Sequence, residues 1–287
     1  MRTGLSFTAA TNRLDIDVAS VALGGALTVN GALDMGKGDD VALRLRGVTG
    51  DRVTLGHTNL GAYQVHVIPG TYQVFVDYGA SLITAPTNDN TLLRADVAVS
   101  RDTVLDLDVP SVQVTGKFLI DGLPAPPATI GGDFGGVSLR TDGGATAFIG
   151  VTNIAMYKIY ALAGTYDVYY QTQSFANGAV PRNQNVKIGG GVVVAAPGPL
   201  TFDVNIPTRV MRGGITVNGT PLADAADAGR LELWSASGDK ALLGGTEAGA
   251  YDARLVPGTY DVVYIGSAPG AMAPVNQATR LGCLIVE

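Results

Sequence analysis

The sequence predicts an all-β chain of three tandem Greek-key β-sandwich units with no significant helix. Three observations carry that prediction. A Gly-Thr-Tyr-x-Val corner recurs at a fixed spacing, short runs alternate apolar and polar residues, and Asn-Gly or Asp-Gly pairs punctuate them.

The corner places Tyr72, Tyr166 and Tyr260 at successive intervals of 94 residues. A second tyrosine, Tyr63, Tyr157 or Tyr251, precedes each corner at one fixed distance. Such self-similarity marks a repeat architecture. Other landmarks keep the same order. Gly25–Gly31 matches Gly116–Gly122 and Gly213–Gly219, and Val41–Arg44 matches Val137–Arg140 and Leu231–Trp234. Pro86-x-Asn88 returns as Pro181-x-Asn183 and Pro274-x-Asn276, and Leu14–Val18 returns as Leu105–Val109 and Phe202–Ile206. The period divides the chain into repeats over residues 1–107, 108–204 and 205–287.

Within the corner strand, Tyr72, Val74 and Val76 are expected on one face, with Gln73, Phe75 and Asp77 on the other, because side chains alternate along a strand. Asn30-Gly31, Asp121-Gly122 and Asn218-Gly219 suit type I′ hairpins, whose two central residues both need positive φ. Gly70, Gly164 and Gly258 are expected to supply the conformational freedom for the corner. No segment has the periodicity of an amphipathic helix; residues 223–230 come nearest and would give one turn.

A hydrophobic content of 46% supports packed cores. A net charge of -6 without any basic run argues against nucleic acid as a partner. No run approaches the roughly 18 apolar residues of a membrane-spanning helix. The opening segment MRTGLSFTAATNR lacks the pattern of an export signal, which is also what a chain with its leader removed would show. The one cysteine, Cys283, lies in an apolar run and is expected to pack as a buried thiol.

These landmarks together resemble the transthyretin-like, or carboxypeptidase regulatory-like, β-sandwich. The third copy is the most similar, through GGITVNGTPLADA, LELW and LVPGTYDVVY. Tandem repeats with this wording look like those of exported lipoproteins of gliding soil bacteria. The resemblance implies structural, surface or carbohydrate-associated modules and no reaction. The middle copy departs from the pattern at Ala155 and Ala163 and in a Gly-rich insert, which puts its loop shapes in question.

Candidate chemistry is sparse. His57 and His66 are not framed by the serine and acid that a catalytic triad requires, and both read as surface residues. Asp15, Asp17, Asp106 and Asp108 form Asp-x-Asp pairs near the repeat junctions, where Ca²⁺ would brace neighbouring units; the plainer reading is a charged edge strand. Trp234 is expected to point outward, where it would stack on a sugar or anchor a protein, unless a loop covers it. The Asn of each Pro-x-Asn is expected to tie its own loop.

The two ends differ. The third repeat ends without an LDLDVP-type strand, while Leu14–Val18 supplies one ahead of the first repeat. That segment is expected to pair within its own repeat, to belong to an upstream repeat, or to complete another molecule by strand addition. The expected function is that of a non-enzymatic, exported or cell-surface spacer. A module binding envelope glycan or protein is the alternative, and a self-associating fibre subunit the third.

Overall fold

A computed structural model describes residues 16–33, 40–80, 85–127, 132–175, 178–196, 198–221, 229–266 and 273–287. The chain is all-β. The first repeat holds β1 (Val21–Val29), β2 (Asp40–Gly47), β3 (Arg52–His57), β4 (Ala62–Val67), β5 (Gly70–Ala80), β6 (Asn88–Asp89), β7 (Thr91–Val99), β8 (Thr103–Val104) and β9 (Leu107–Val109). The second holds β10 (Val112–Ile120), β11 (Leu123–Pro124), β12 (Phe134–Arg140), β13 (Thr146–Val151), β14 (Met156–Ala161), β15 (Gly164–Ser174), β16 (Val186–Val194), β17 (Leu200–Thr201) and β18 (Val204–Ile206). The third holds β19 (Arg209–Gly214), β20 (Gly229–Ser235), β21 (Lys240–Gly245), β22 (Ala250–Leu255), β23 (Gly258–Gly266) and β24 (Thr279–Val286).

Each repeat builds one larger sheet around its corner strand. The orders are β3-β2-β5-β7, β13-β12-β15-β16 and β21-β20-β23-β24, all antiparallel. The opposing smaller sheet pairs β1 with β4, β10 with β14, and β19 with β22. Alternation along the strands fills the space between. Tyr72, Val74 and Val76 are buried, as are Leu43 and Leu45 from the neighbouring β2. Three apolar clusters result, centred on Leu23, Leu27 and Tyr72, on Phe118, Tyr157 and Tyr166, and on Leu233, Leu255 and Tyr260. Phe118 and Tyr157 stack with ring centroids 4.9 Å apart. Each fully buried side chain of this size contributes about 1.5–3 kcal/mol.

The turns follow their sequence. Asn30 and Gly31 take φ of 51° and 73°, Asp121 and Gly122 take 52° and 80°, and Asn218 and Gly219 take 54° and 79°. The corner glycines serve a different need from the one expected. Gly70, Gly164 and Gly258 are not among the positive-φ residues. Instead, a Cβ at Gly164 would lie 3.2 Å from the Tyr166 ring, which folds back over the corner. Small size, rather than freedom of φ, is what Gly164 and Gly258 supply, the distance at Gly258 being 3.3 Å; at Gly70 it is an ordinary 3.5 Å.

Two further expectations are corrected. Leu45, Leu139 and Leu233 pair with Val74, Val168 and Val262, so Arg46, and not Arg44, corresponds to Arg140 and Trp234. A slip of two residues keeps every side chain on its own face, so the run Val-Ala-Leu-Arg-Leu-Arg could not reveal it. Cys283 is exposed, not buried. It faces outward from β24, a strand whose Leu281 and Ile285 are exposed as well. In the middle copy, Thr152–Ala155 forms a plain turn where the flanking copies have short 3₁₀ turns closed by Gly61 and Gly249.

The LDLDVP-type strands complete the preceding repeat. β9 runs parallel to β1, with Leu107 opposite Leu27 and Val109 opposite Val29. β18 does the same beside β10, with Val204 opposite Phe118 and Ile206 opposite Ile120. Among the described residues β19 pairs with β22 alone.

Candidate functional site: the joints between repeats

Among the described residues, the most fully built polar sites are the two joints where one repeat enters the next. The first is made by β6. After Pro86, the Thr87 amide donates to the Tyr160 carbonyl at 2.9 Å, carrying the chain across to the second repeat. Asn88 and Asp89 then pair with Ala147 and Thr146 as an edge strand of the second repeat's sheet. The Asn88 side chain is fully buried there. Its Nδ2 donates to the Tyr166 hydroxyl at 3.1 Å, and its Oδ1 accepts from the Leu162 amide at 2.7 Å. The Tyr166 hydroxyl donates in turn to the Leu162 carbonyl at 2.8 Å.

The second joint repeats this bond for bond. The Arg182 amide donates to the Arg254 carbonyl at 2.9 Å. Asn183 Nδ2 donates to the Tyr260 hydroxyl at 2.9 Å, its Oδ1 accepts from the Val256 amide at 2.8 Å, and Tyr260 donates to the Val256 carbonyl at 2.8 Å. Here buried Asp239 is added. It accepts from Asn183 Nδ2 at 2.5 Å, and from the amides of Gln184 and Asn185 at 3.1 and 2.9 Å. Arg182 further donates to the Leu243 and Asp252 carbonyls at 2.7 and 2.9 Å. Asn88 and Asn183 therefore reach into the next repeat, and only a long 3.4 Å contact from Asn88 Nδ2 to Thr91 Oγ1 stays within its own loop.

Apolar contact runs the opposite way. Leu162, from the second repeat, belongs to the first repeat's cluster, and Val256, from the third, belongs to the second's. The corner of each following repeat thus caps the core before it. Burial pushes the Tyr260 hydroxyl up to about 12, with the Asn183 hydrogen bond opposing and the Asp239 charge adding to the rise. Tyr166 rises through burial too, with the Asn88 bond opposing. Both phenols therefore remain protonated donors at neutral pH.

The Asp-x-Asp residues brace the same regions. Asp106 accepts from the Ala26 amide at 2.8 Å, and Asp108 accepts from Thr28 Oγ1 and the Gly31 amide, both at 2.7 Å. Asp203 and Asn205 accept from the amides of Lys117 and Gly122 at 2.9 and 2.8 Å. A neutral amide oxygen serves as well as a carboxylate at the second position, which accounts for Asn205. Gly25 and Gly116 admit the close approach of these strands, since an added Cβ would lie 2.1 Å from the Leu105 carbonyl oxygen or 1.9 Å from that of Phe202. Tyr63 and Tyr157 donate their hydroxyls to those same two carbonyls, the first at 2.8 Å. Asp17 is exposed, and Asp15 lies outside the described residues. Among the described residues, no group of three or more His, Cys, Asp and Glu side chains gathers as metal ligands would.

The remaining candidates stand apart from one another. Trp234 is half-buried on the outer face of β20, its indole Nε1 donating to Glu232 at 2.8 Å, with Lys240 lying over the ring at 4.2 Å. Both of these partners belong to its own sheet. His57 Nδ1 lies 2.5 Å from Asp40 Oδ2, a pair the sequence did not disclose, and His66 is exposed on β4. No helix among the described residues is long and apolar enough to cross a membrane.

No family model matches the chain, and no curated protein matches it in sequence. Among solved structures it is similar to the TIE protein of Bacillus anthracis, at 12% identity and TM-score 0.24, covering 93% of this chain and 48% of that one. It thus spans about half the length of that protein. A major pilin subunit of Bacillus cereus is similar at 10% identity and TM-score 0.22, covering 94% and 96% of the two chains. A minor pilin of Streptococcus agalactiae is similar at 13% identity and TM-score 0.31, covering 65% and 94%.

Proposed function

We propose that the chain is a non-enzymatic structural module, exported to the cell surface or outer envelope, whose interlocked sandwich units hold other parts at a set distance. The carrying observation is the paired joint. Asn88 and Asn183 each fill the tyrosine corner of the following repeat with the same bonds. A flexible tether would need none of this. We take each unit to be a transthyretin-like sandwich, bounded a little downstream of the sequence periods, after Val109 and Ile206, because β9 and β18 pair backward.

The test is small-angle scattering on the chain and on an Asn88→Ala, Asn183→Ala double variant. We expect a defined maximum dimension for the parent and a broadened, flexible distribution for the variant. Identical profiles would count against the spacer. Binding of envelope glycan or protein is the second reading, and Trp234 is its surface. Glu232 and Lys240 already engage the indole, so this reading needs them to yield to a ligand.

A further inference from the structure

Each internal joint has an outgoing half, carried by the earlier repeat, and an incoming half, carried by the later one. Among the described residues, nothing engages the third repeat's outgoing half or the first repeat's incoming half. We propose that these two halves mate between copies of this chain, so that the third repeat of one copy and the first repeat of a second form the same joint seen twice within the molecule.

The outgoing half is preformed. Pro274-Val275-Asn276-Gln277 repeats the Pro-x-Asn-Gln wording of Pro181–Gln184. Its backbone takes the same path. Tyr264 donates to the Pro274 carbonyl at 2.7 Å as Tyr170 does to Pro181 at 2.9 Å. The Gly266 amide donates to the Asn276 carbonyl at 2.7 Å, as Thr172 does to Asn183. Yet Asn276 is exposed where Asn183 is buried.

The incoming half is preformed as well. Tyr72 donates to the Ile68 carbonyl, as Tyr260 does to Val256. Asp51 precedes β3 as Asp239 precedes β21, each carbonyl accepting from the residue that opens its turn, Gly47 or Ser235, at 2.9 Å. Ile68 is 58% exposed, whereas its counterparts Leu162 and Val256, covered by a preceding repeat, are 5% and 3% exposed.

Residue chemistry selects the match. The Asp239 socket takes a latch with Gln184, whereas the socket that takes Asp89 has Ala145 in the aspartate's place. The first repeat's socket has Asp51 and the third repeat's latch has Gln277, so they fit without opposing carboxylates.

The strand exchange agrees in direction. Ile16 and Val18 are 72% and 65% exposed, while their counterparts Leu107 and Val109 are 3% and 0% exposed beside β1. The open edge of the third repeat continues into a groove of about 470 Å³ lined by Ile215, Val217, Leu231 and Tyr264. The Tyr251 hydroxyl has no carbonyl partner there among the described residues, unlike Tyr63 and Tyr157. Residues 16–18 of a second copy would lie in that groove as Leu107–Val109 lie beside β1. Ser20 would then meet Asn218 as Ser111 meets Asn30, at 2.9 Å between side chains. Head-to-tail contacts of this kind need not close, and they generate a filament.

This inference rests on reading the internal joints as structural, and its test is separate from that one. Sedimentation velocity on the chain over a wide concentration range should show assemblies that lengthen with concentration. Ile16→Asp with Val18→Asp should abolish them, as should Ile68→Asp, and Asn276→Ala should weaken them at least tenfold. All four positions are exposed, so unchanged melting of each variant shows that the fold is intact. In chains also carrying Cys283→Ser, Ser20→Cys with Asn218→Cys should oxidise to a ladder of covalent multimers. A parent that sediments as a monomer throughout overturns the inference, in favour of a further repeat as the natural occupant. So does association that Ile68→Asp and Asn276→Ala leave unchanged. If scattering still shows stiff internal joints in either case, the spacer reading stands without it.

Discussion

Asn183 and Tyr260 meet across a repeat boundary, the amide Nδ2 donating to the hydroxyl at 2.9 Å inside a site from which solvent is excluded. The hydrogen bonds of the Asn183 side chain all go to the third repeat, to Tyr260, Asp239 and the Val256 amide. Their bond is therefore a measure of how tightly one unit is seated on the next.

Removing that amide should uncouple the third repeat. Asn183→Ala leaves the Val256 amide buried without its acceptor and removes a donor from the Tyr260 hydroxyl. A buried group left without a partner costs about 1–3 kcal/mol. Calorimetry is expected to show a lower-melting transition for the third repeat, with the first unaffected. A single unshifted transition would contradict the joint.

Asn183→Asp should be worse than its size suggests, and pH-dependent. It sets a carboxylate against Asp239, whose oxygen is 2.5 Å from Asn183 Nδ2. Two carboxylates sharing a site cannot both ionise cheaply. The variant's deficit relative to the parent should be largest near neutral pH and shrink on acidification, as one of the pair takes a proton. Paired urea titrations at several pH values read this directly.

The corner tyrosine gives the parent an alkaline limit. Burial raises the Tyr260 hydroxyl from 10.0 to about 12. The folded state holds its proton where the unfolded state has begun to lose it, so this contribution is whole below pH 10 and is lost as pH rises towards 12. Tyr63, raised to about 12 chiefly by burial, acts in the same window. Phenolate absorbance should lag free tyrosine and then rise together with unfolding.

Two further substitutions separate packing from charge at the strand beside β1. Gly25→Val drives a side chain into the Leu105 carbonyl oxygen, 2.1 Å from where a Cβ would sit. Overpacking of that kind costs roughly 1–3 kcal/mol. Asp108→Asn should cost far less, since Asn205 already accepts the equivalent amide in the second repeat. With Oδ1 of both Asp106 and Asp108 engaged by a backbone amide, added Ca²⁺ is expected to leave the melting temperature of the parent unchanged. A rise on calcium addition would favour the metal reading.

The fold was legible because its determinants are local and repeat. Tyr72, Tyr166 and Tyr260 each bond the carbonyl four residues upstream, and the Asn-Gly and Asp-Gly turns adopt the φ that their composition demands. The joints were not legible, because an asparagine in a loop carries no mark of what it faces. Asn88 and Asn183 recur in phase with the tyrosine corners, and that periodicity was the available signal. Cys283 misled because an apolar run on an edge strand reads alike whether or not a second layer covers it. The Arg44 register failed for a different reason, since a two-residue slip preserves alternation.

Leu162 and Val256 each finish a core whose other members are made before them. During synthesis from the N-terminus, each of these two units emerges before the one residue that caps its core, Leu162 or Val256. Maturation along this polypeptide is therefore directional, and a nascent array is weakest at whichever unit was completed last.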